Sequence, residues 1–137
     1  MFDLFLYNLV LNYKDSGKEW IGVIPEHWER RKLSSIAARI TDYVASGSFA
    51  SLNENVQYLD EPDYAMLVRT VDLSGSSADT LKVYVDEHSY EFLNNSNLFG
   101  GELILSNIGS VGSVFVYEPM YQRAALAPNA ILVDMKE

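Results

Sequence analysis

The stretch FGGELILSNIGSVGSVFVY (residues 99–117) decides the fold, because it holds two apolar segments separated by a glycine-rich turn. Gly100 and Gly101 precede the first segment, ELILSNI (102–108), and Gly112 precedes the second, SVFVY (113–117). Glycine permits the positive φ angles that a tight turn between strands requires. The stretch therefore predicts two antiparallel strands joined around residues 108–112.

Further strands are predicted on either side of this pair. NAILVDM (129–135) is typical of a final strand, and LKVYV (81–85) of a shorter one. YAMLVRTV (64–71) is nearly continuous in apolar character, as in a fully buried strand. Arg69 interrupts that run and has either to emerge at an edge or to find a partner.

Short helices and polar loops fill the remaining body of the chain. Asp86 is a good N-cap for a helix DEHSYEFL (86–93), since its side chain can accept a hydrogen bond from the first turn. The segments SGSFASLNEN (46–55) and LSGSSADT (73–80) are small and polar, which is typical of loops. The pattern predicts an α+β fold with short mixed and antiparallel strands, a few short helices and long polar loops.

The amino-terminal region is predicted to be less regular. YKDSGKEWIGVIPEHW (13–28) is interpreted as a meandering arm in which Trp20 and Trp28 are buried anchors. A short strand is expected at 28–33, followed by a short helix, capped by Ser34 or Ser35, that extends to residue 38. In residues 1–12, Phe2, Phe5, Leu6 and Leu9 fit a helical stripe, although twelve residues do not settle helix against strand. The segment is either a packed terminal element or an upstream extension.

Composition excludes several function classes. The 137 residues contain 10 Lys+Arg and 19 Asp+Glu, a net charge of −9, and no Cys, which removes disulfides, thiolate metal sites and cysteine nucleophiles. Residues 14–39 nevertheless carry a charge of +2, against −10 for residues 40–137. The overall acidity argues against a protein that grips nucleic acid by charge alone.

No catalytic constellation emerges from the sequence. The two histidines, His27 and His88, are far apart in sequence, and no Gly-x-Ser-x-Gly nucleophile elbow is present. The acidic residues Asp60, Glu61 and Asp63 can be a carboxylate metal site or a solvated turn, and acidic clusters beside a proline favour the turn.

Two longer segments, taken in their order along the chain, carry a resemblance to a known family. They are YKDSGKEWIGVIPEHWERRKLSSIA (13–37) and FGGELILSNIGSVGSVFVY (99–117), the latter continued by ALAPNAILV (125–133). Together they resemble the amino-terminal target-recognition domain of the specificity subunit of type I restriction–modification enzymes. Glu102 in Gly101-Glu102-Leu103-Ile104-Leu105 stands where the family more commonly has Asp.

The resemblance implies recognition without catalysis, in a cytoplasmic host-defence system. Such subunits read one half of a split duplex-DNA target. They recruit methylating subunits that bind S-adenosylmethionine and an ATP- and magnesium-dependent restriction subunit. The chain itself is then expected to be no enzyme, to bind no cofactor or metal, and to have no membrane partner.

The resemblance also implies a domain division. Residues 1–12 are expected to be an extension, and residues 13–137 a recognition domain that lacks its carboxy-terminal elements and the spacer helix. Such a domain would expose part of its core, which predicts marginal stability or self-association.

Candidate DNA contacts follow from side chains with donors and acceptors on the predicted loops, and from the cations. The candidates for base contact are Ser46, Ser48, Ser51, Asn53, Asn55, Arg69, Ser106, Asn107, Ser110 and Arg123. The candidates for contact with phosphate or with a partner subunit are Lys14, Lys18, Arg30, Arg31 and Lys32.

Two functions remain open. The first is sequence recognition on duplex DNA within a type I complex. The second is a protein-interaction fragment that docks on a methylating subunit or self-associates without reading DNA.

Overall fold

A computed structural model describes residues 12–75, 81–109 and 111–136. The chain divides into two compact units, Met1–Ser35 and Ile36–Glu137. We refer to the described part of the first unit, residues 12–35, as the arm, and to that of the second unit as the body. The predictions for residues 1–11 and 76–80 and for Ser110 lie outside the described residues.

The arm is a β-hairpin followed by a turn at residues 26–27 and a segment without regular secondary structure at 28–32. Strands β1 (Tyr13–Asp15) and β2 (Val23–Pro25) pair antiparallel, with Lys14 opposite Ile24. The expectation of an irregular arm was therefore wrong. Gly17 and Gly22 both have a φ of 71°, so glycine allows the connection between the strands to turn back on itself. The strand expected at 28–33 is absent from the arm, and helix α1 (Leu33–Ile36) follows directly.

The body has an α+β fold, as predicted. Its remaining elements are β3 (Ala37–Asp42), α2 (Phe49–Asn55), β4 (Tyr58–Leu59), β5 (Ala65–Val68), α3 (Thr70–Leu73), β6 (Tyr84–Val85), α4 (Glu87–Phe92), β7 (Asn97–Leu98), β8 (Leu103–Ser106), β9 (Val114–Val116), β10 (Ala124–Leu126) and β11 (Ala130–Met135). Short 3₁₀ helices span Tyr43–Ser46 and Asn94–Ser96.

Two sheets make up the body. One has five strands in the order β4-β6-β5-β10-β7, and the other has four in the order β3-β11-β8-β9. The predicted antiparallel pair is present as β8 and β9, with Ile104 opposite Phe115. β10 pairs parallel with β5 and antiparallel with β7, so the five-stranded sheet is mixed.

Three layers result, because both faces of the five-stranded sheet are covered. Met66 and Val68 of β5 pack with Ile104 and Leu132 of the other sheet, whereas Leu67 packs with Leu52 and Leu93 on the helical side. A strand covered on both faces must be apolar at every position. This explains why the 64–71 segment reads as a continuous apolar run, although the strand itself ends at Val68.

Three predictions of local structure need correction. The segment 46–55, expected to be a loop, contains helix α2, whose N-cap Ser48 accepts a hydrogen bond from the Ser51 N–H. Helix α1 ends at Ile36, and residue 38, expected to be helical, lies in β3. The 81–85 strand is confined to Tyr84–Val85. The cap at Asp86 is confirmed, since its carboxylate accepts from the Ser89 N–H at 2.8 Å.

A buried carboxylate shapes the start of the β8–β9 pair. Glu102 is 3% exposed, and its carboxylate accepts hydrogen bonds from the backbone N–H groups of Phe99 and Gly100 at 2.6 and 2.8 Å. Bonds of this kind to a charged acceptor are stronger than neutral ones. The acidic residue at this position therefore holds the turn that leads into β8.

No helix in the described ranges has the length and apolar character needed to cross a bilayer.

Candidate nucleic-acid interface

The loop between β1 and β2 is tightly built. The Asp15 carboxylate accepts from the Gly17 N–H at 2.7 Å, and the buried Ser16 hydroxyl donates to the Lys18 carbonyl at 3.1 Å. The N–H groups of Ile21 and Gly22 both donate to that same carbonyl at 3.0 Å. These bonds fix the backbone on which the side chains of Lys18 and Trp20 stand.

The segment after the hairpin returns to this loop and forms a cleft with it. The Arg30 guanidinium donates to the Gly17 carbonyl at 3.4 Å. The cleft has a volume of ≈ 520 Å³. This lies within the range of about 300–1,000 Å³ that is typical of ligand sites. Its lining residues are Lys18, Trp20, Ile21, Arg30, Arg31 and Lys32. We call it the basic cleft; four of the five cations predicted to contact phosphate line it, and Lys14 does not.

Most of the positive charge in the basic cleft is uncommitted. Arg31 is paired with Glu29 at 2.6 Å, and this hydrogen bond holds the pKa of Glu29 below its usual value. Both side chains are more than 60% exposed, so the pair adds little to stability. In the described part of the chain, the ammonium groups of Lys18 and Lys32 form no ion pair. The cleft can therefore bind an anion without first breaking a strong internal contact.

Trp20 is the residue in this site that the sequence interpretation misplaced. It was expected to be a buried anchor, but its side chain is 84% exposed, and Trp28 is 57% exposed. Aromatic character alone indicates burial, because the residue type favours it. The signal that was available is the neighbourhood of Lys18 and the Arg30–Lys32 run, since interleaved aromatic and basic residues are typical of nucleic-acid surfaces.

The body has a second concave region, formed by two adjoining hollows that share Ile108, Pro128 and Asn129. The first hollow, ≈ 250 Å³, is lined in addition by Tyr58, Leu67, Arg69, Thr70, Val83 and Ala127. The second, ≈ 200 Å³, is lined in addition by Asp42, Tyr43, Val44, Phe49, Asn107 and Ala130. We call the pair the body groove.

Two carboxamides stand together in the body groove. The backbone N–H of Asn107 donates to the Asn129 carbonyl at 3.2 Å, and both residues are exposed. Within the described residues neither side chain forms a hydrogen bond. Asn129 has a φ of 75° and follows Pro128, as in a turn whose third position needs a positive φ. Glycine would satisfy that turn at lower cost, and the asparagine adds an amide to the groove wall. Asn107 was predicted as a contact. Asn129 was missed, although Pro followed by Asn fits the two central positions of a type II turn.

Arg69 is bonded to a buried carboxylate of the body. Its guanidinium donates to the Asp72 carboxylate at 3.0 and 3.1 Å and to the Leu81 carbonyl at 2.6 Å. The Asp72 side chain is fully buried and also accepts from Lys82 at 3.1 Å. The sequence left open whether Arg69 emerges at a sheet edge or finds a partner, and in the structure its partner is Asp72. The Arg69 side chain is 31% exposed and also lines the body groove, so it lies at the groove wall while it holds this network.

Arg123 lies at the other end of the parallel β5–β10 pair. Ala124 is opposite Met66 and Leu126 is opposite Val68, so Arg123 precedes the pair while Arg69 follows it. With a rise of about 3.3 Å per residue, the two arginines start about 13 Å apart along the sheet. The Arg123 guanidinium stacks over the Tyr64 ring at 4.4 Å. The two predicted arginine contacts therefore do not belong to one small patch.

The predicted serine and asparagine contacts have mixed positions. Ser48 caps α2, and Asn55 donates to the Ser51 carbonyl while its oxygen lies 3.2 Å from the His88 ring nitrogen. The Ser46 hydroxyl oxygen is buried and has no hydrogen-bond partner among the residues that the structure describes. Asn53 is exposed. Ser106 is 4% exposed and donates its hydroxyl to the Ile108 carbonyl at 3.0 Å, so it stabilises its own turn.

Comparison with known proteins adds no family to this geometry. No protein-family model matches the chain, and neither does any curated protein.

Proposed function

We propose that this chain recognises DNA as part of a type I restriction–modification specificity subunit and reads one half of a bipartite duplex target. The observation that carries the proposal is the basic cleft. Four cationic side chains line this one cleft of the arm, although most of the rest of the chain is acidic. Cations on an exposed surface supply the phosphate contacts that position a protein on a duplex. The resemblance of segments 13–37, 99–117 and 125–133 to that family supports the same assignment.

Base recognition is assigned to the body groove. An asparagine carboxamide presents a donor and an acceptor side by side, which matches the N6 and N7 edge of adenine. Asn107 and Asn129 are adjacent, exposed and not hydrogen-bonded through their side chains in the described part of the body. We assign the first readout to these two residues, with the exposed Asn53 as a further contact.

The chain contributes specificity more than affinity. The second unit carries five Lys+Arg against fourteen Asp+Glu, so the electrostatic attraction that drives non-specific DNA binding is weak. Methylating and restriction subunits supply the remaining basic surface. They also hold S-adenosylmethionine, ATP and magnesium, and they carry out the catalysis in the cytoplasm.

The proposal is tested first by selection from a duplex library with ten randomised base pairs. The affinity for the recovered sequence is then measured by fluorescence anisotropy from about 25 to about 200 mM KCl, a range over which phosphate contacts make binding strongly salt-dependent. We expect a short enriched motif. With three to four phosphate contacts, log K should fall with log salt with a slope of about −3, and Lys18→Ala should reduce that slope by about 1. Asn129→Gly keeps the turn, and should relax the motif at one position at a cost of about 1–3 kcal/mol in discrimination.

Lys136→Ala is the matched control, because it removes one positive charge from the body and Lys136 lines neither the basic cleft nor the body groove. Recovery of sequences without any shared motif would contradict base recognition. A salt slope equally reduced by Lys18→Ala and Lys136→Ala would contradict the role of the basic cleft.

An alternative function is docking on a methylating subunit or self-association without DNA reading. It is favoured by the outer face of the four-stranded sheet, the face opposite Ile104 and Leu132. Paired positions share a face of a sheet, and this face carries the two rows Val116-Leu103-Val133-Ile40 and Val114-Leu105-Ile131-Asp42. Val116 and Ile40 at the ends of the first row are 62% and 49% exposed, whereas Val133 between them is fully buried. Exposed aliphatic side chains at the margins of a sheet face are available to a partner.

Two measurements, footprinting of a complex and sedimentation of the chain alone, distinguish the two functions. The chain is mixed with a type I methylating subunit, and the purified complex is footprinted on the library duplex. Binding without a footprint favours the alternative, as does a dimer of the chain alone in sedimentation that Val116→Lys dissociates. A footprint that Asn107→Ala and Asn129→Gly alter favours DNA recognition.

A further inference from the structure

Trp20 leaves nearly all of its ring in water. It is 84% exposed, and in the described part of the chain its ring makes no aromatic or cation contact, whereas Tyr64, for comparison, stacks with both Tyr90 and Arg123. Trp buries more apolar surface than any other residue when it finds a partner. The exposed indole on the tightly bonded 16–22 loop is therefore a binding face that the arm itself does not use.

The other residues of the basic cleft define the chemistry of what binds there. Lys18, Arg30 and Lys32 attract an anion, while the indole of Trp20 and the side chain of Ile21 offer a flat apolar surface. A ligand that satisfies both needs a phosphate and a planar aromatic ring within one molecule. The cleft volume of ≈ 520 Å³ is large enough for a nucleotide.

The base of that ligand has to be unpaired. Inside a duplex each base is covered by its neighbours on both faces, so an indole cannot stack on it unless the base is extruded or single-stranded. A duplex satisfies the cations of the cleft but leaves Trp20 without a partner.

We infer that the basic cleft binds an unpaired nucleobase together with its phosphate, with the base stacked on Trp20 and the phosphate held by Lys18, Arg30 and Lys32. The inference deepens the proposed function and rests on the nucleic-acid role given there to the arm. The same chemistry is presented by a free nucleotide and by a single strand, and the experiment below distinguishes them.

The experiment uses the full chain in a Trp28→Phe background, so that Trp20 is the sole tryptophan and its fluorescence reports on the cleft. Four probes are titrated at 50 mM KCl: the oligonucleotide dT12, a 12-base-pair duplex, dTTP and inorganic tripolyphosphate. We expect dT12 to quench Trp20 and to bind about tenfold more tightly than the duplex, since stacking on one aromatic ring is worth about that factor. If dTTP quenches Trp20 and binds with the same affinity as dT12, the site is assigned to free nucleotides. If dTTP binds more weakly than dT12, the site is assigned to single strands.

Variants separate stacking from charge. By anisotropy with labelled dT12, Trp20→Ala should weaken binding about tenfold and Trp20→Phe less, while Trp28→Phe alone should leave it unchanged. Lys18→Ala should weaken dT12 and duplex alike. Because Trp20 is exposed, its replacement should leave circular dichroism and the urea midpoint unchanged, which excludes unfolding as the cause.

Two results would overturn the inference. One is a Trp20→Ala chain that binds dT12 as tightly as its parent; the other is tripolyphosphate that competes as well as dT12, which would show that the base contributes nothing. If the selected duplex motif exists but Trp20→Ala is silent, the inference fails alone. If dT12 binding depends on Trp20 but no motif is selected, the proposed sequence recognition fails and the cleft is a general site for unpaired nucleotides.

Discussion

The arm and the body differ in how many of their cationic side chains are bonded within the chain: in the arm Arg30 and Arg31 are bonded, but two lysines form no ion pair in the described residues. In the body, Arg69 and Lys82 both bond to the buried Asp72, Arg39 donates to the carbonyls of Asn95 and Asn97, and Arg123 stacks on Tyr64. In the arm, Lys18 and Lys32 face the basic cleft without an ion pair in the described residues. A cation that is already bonded braces the fold, and a cation that is free can bind an outside anion, so position rather than residue type divides structure from recognition.

The largest expected effect is on the body. Asp72→Ala would leave Arg69 and Lys82 without their shared carboxylate and remove the acceptor for the Arg69 backbone N–H. Loss of one partner from a buried ion pair costs about 3 kcal/mol. Urea denaturation should show that loss in the free energy of unfolding. Asp134→Ala is the matched control. The Asp134 carboxylate lies 3.9 Å from the Arg39 guanidinium, and the Asp134 side chain is 44% exposed, so this pair is both longer and closer to solvent. An equal loss in both variants would contradict the distinction between bracing and surface pairs.

The same network predicts how stability depends on pH. Burial raises the pKa of Asp72, but hydrogen bonds from Arg69 and Lys82 outweigh it and hold the pKa below its usual value of 3.8. Because the folded pKa is the lower one, the stabilisation is complete above the unfolded pKa and is lost as pH falls below about 4 toward the folded value. The urea midpoint should fall in that window, and the fall should shrink in Asp72→Ala. An unchanged fall would assign the acid sensitivity to other carboxylates.

Helix caps give a smaller effect within the body. Asp86 accepts from the Ser89 N–H at 2.8 Å, and its pKa is lowered by the hydrogen bonds from Ser89. Asp86→Ala should cost about 1 kcal/mol in thermal or urea unfolding. Ser48→Ala removes the weaker 3.2 Å cap of α2 and should cost less. A larger loss of unfolding free energy for Ser48→Ala than for Asp86→Ala would contradict this order. It would mean that α2 contributes more to the stability of the body than its exposed cap indicates.

The smallest effect on stability belongs to the arm. Glu29→Gln breaks the exposed pair with Arg31 and should leave the urea midpoint unchanged. Freeing Arg31 adds one uncommitted cation to the basic cleft, so dT12 affinity should rise about twofold at low salt and converge with the parent above about 0.2 M, where screening removes the difference. A loss of stability in this variant would mean that the arm, like the body, depends on its ion pairs.

The sequence predicted those elements whose signals are local and unambiguous. The β8–β9 pair followed from two apolar segments around glycines, and α4 from an aspartate at the cap position. Helix α2 was missed because serine and asparagine are common both in loops and at caps; the apolar spacing of Leu52 and Val56 after Ser48 was the signal that could have found it. The commitment of Arg69 was readable from Asp72 three residues later.

The candidate site was harder to predict than the fold. Lys18 and the Arg30–Lys32 run were selected from charge alone, but their convergence depends on the hairpin turning at Gly17 and Gly22. Trp20 was assigned to the interior, since a single sequence shows that an aromatic residue is present and not whether it is covered. The adjacency of Asn107 and Asn129 arises only from the pairing of β8 with β11.

The position of the last two strands has a consequence for the order of folding. β10 lies between β5 and β7, and β11 lies between β3 and β8, so residues 124–135 supply an inner strand to each sheet. Met66 pairs with Ala124, which is about 60 residues later in the chain, and Arg39 pairs with Asp134 at a still larger separation. Strand pairings between residues so far apart in sequence form slowly. On the ribosome, neither sheet can close until these strands have emerged, and the β5 apolar segment stays open to other contacts during that time.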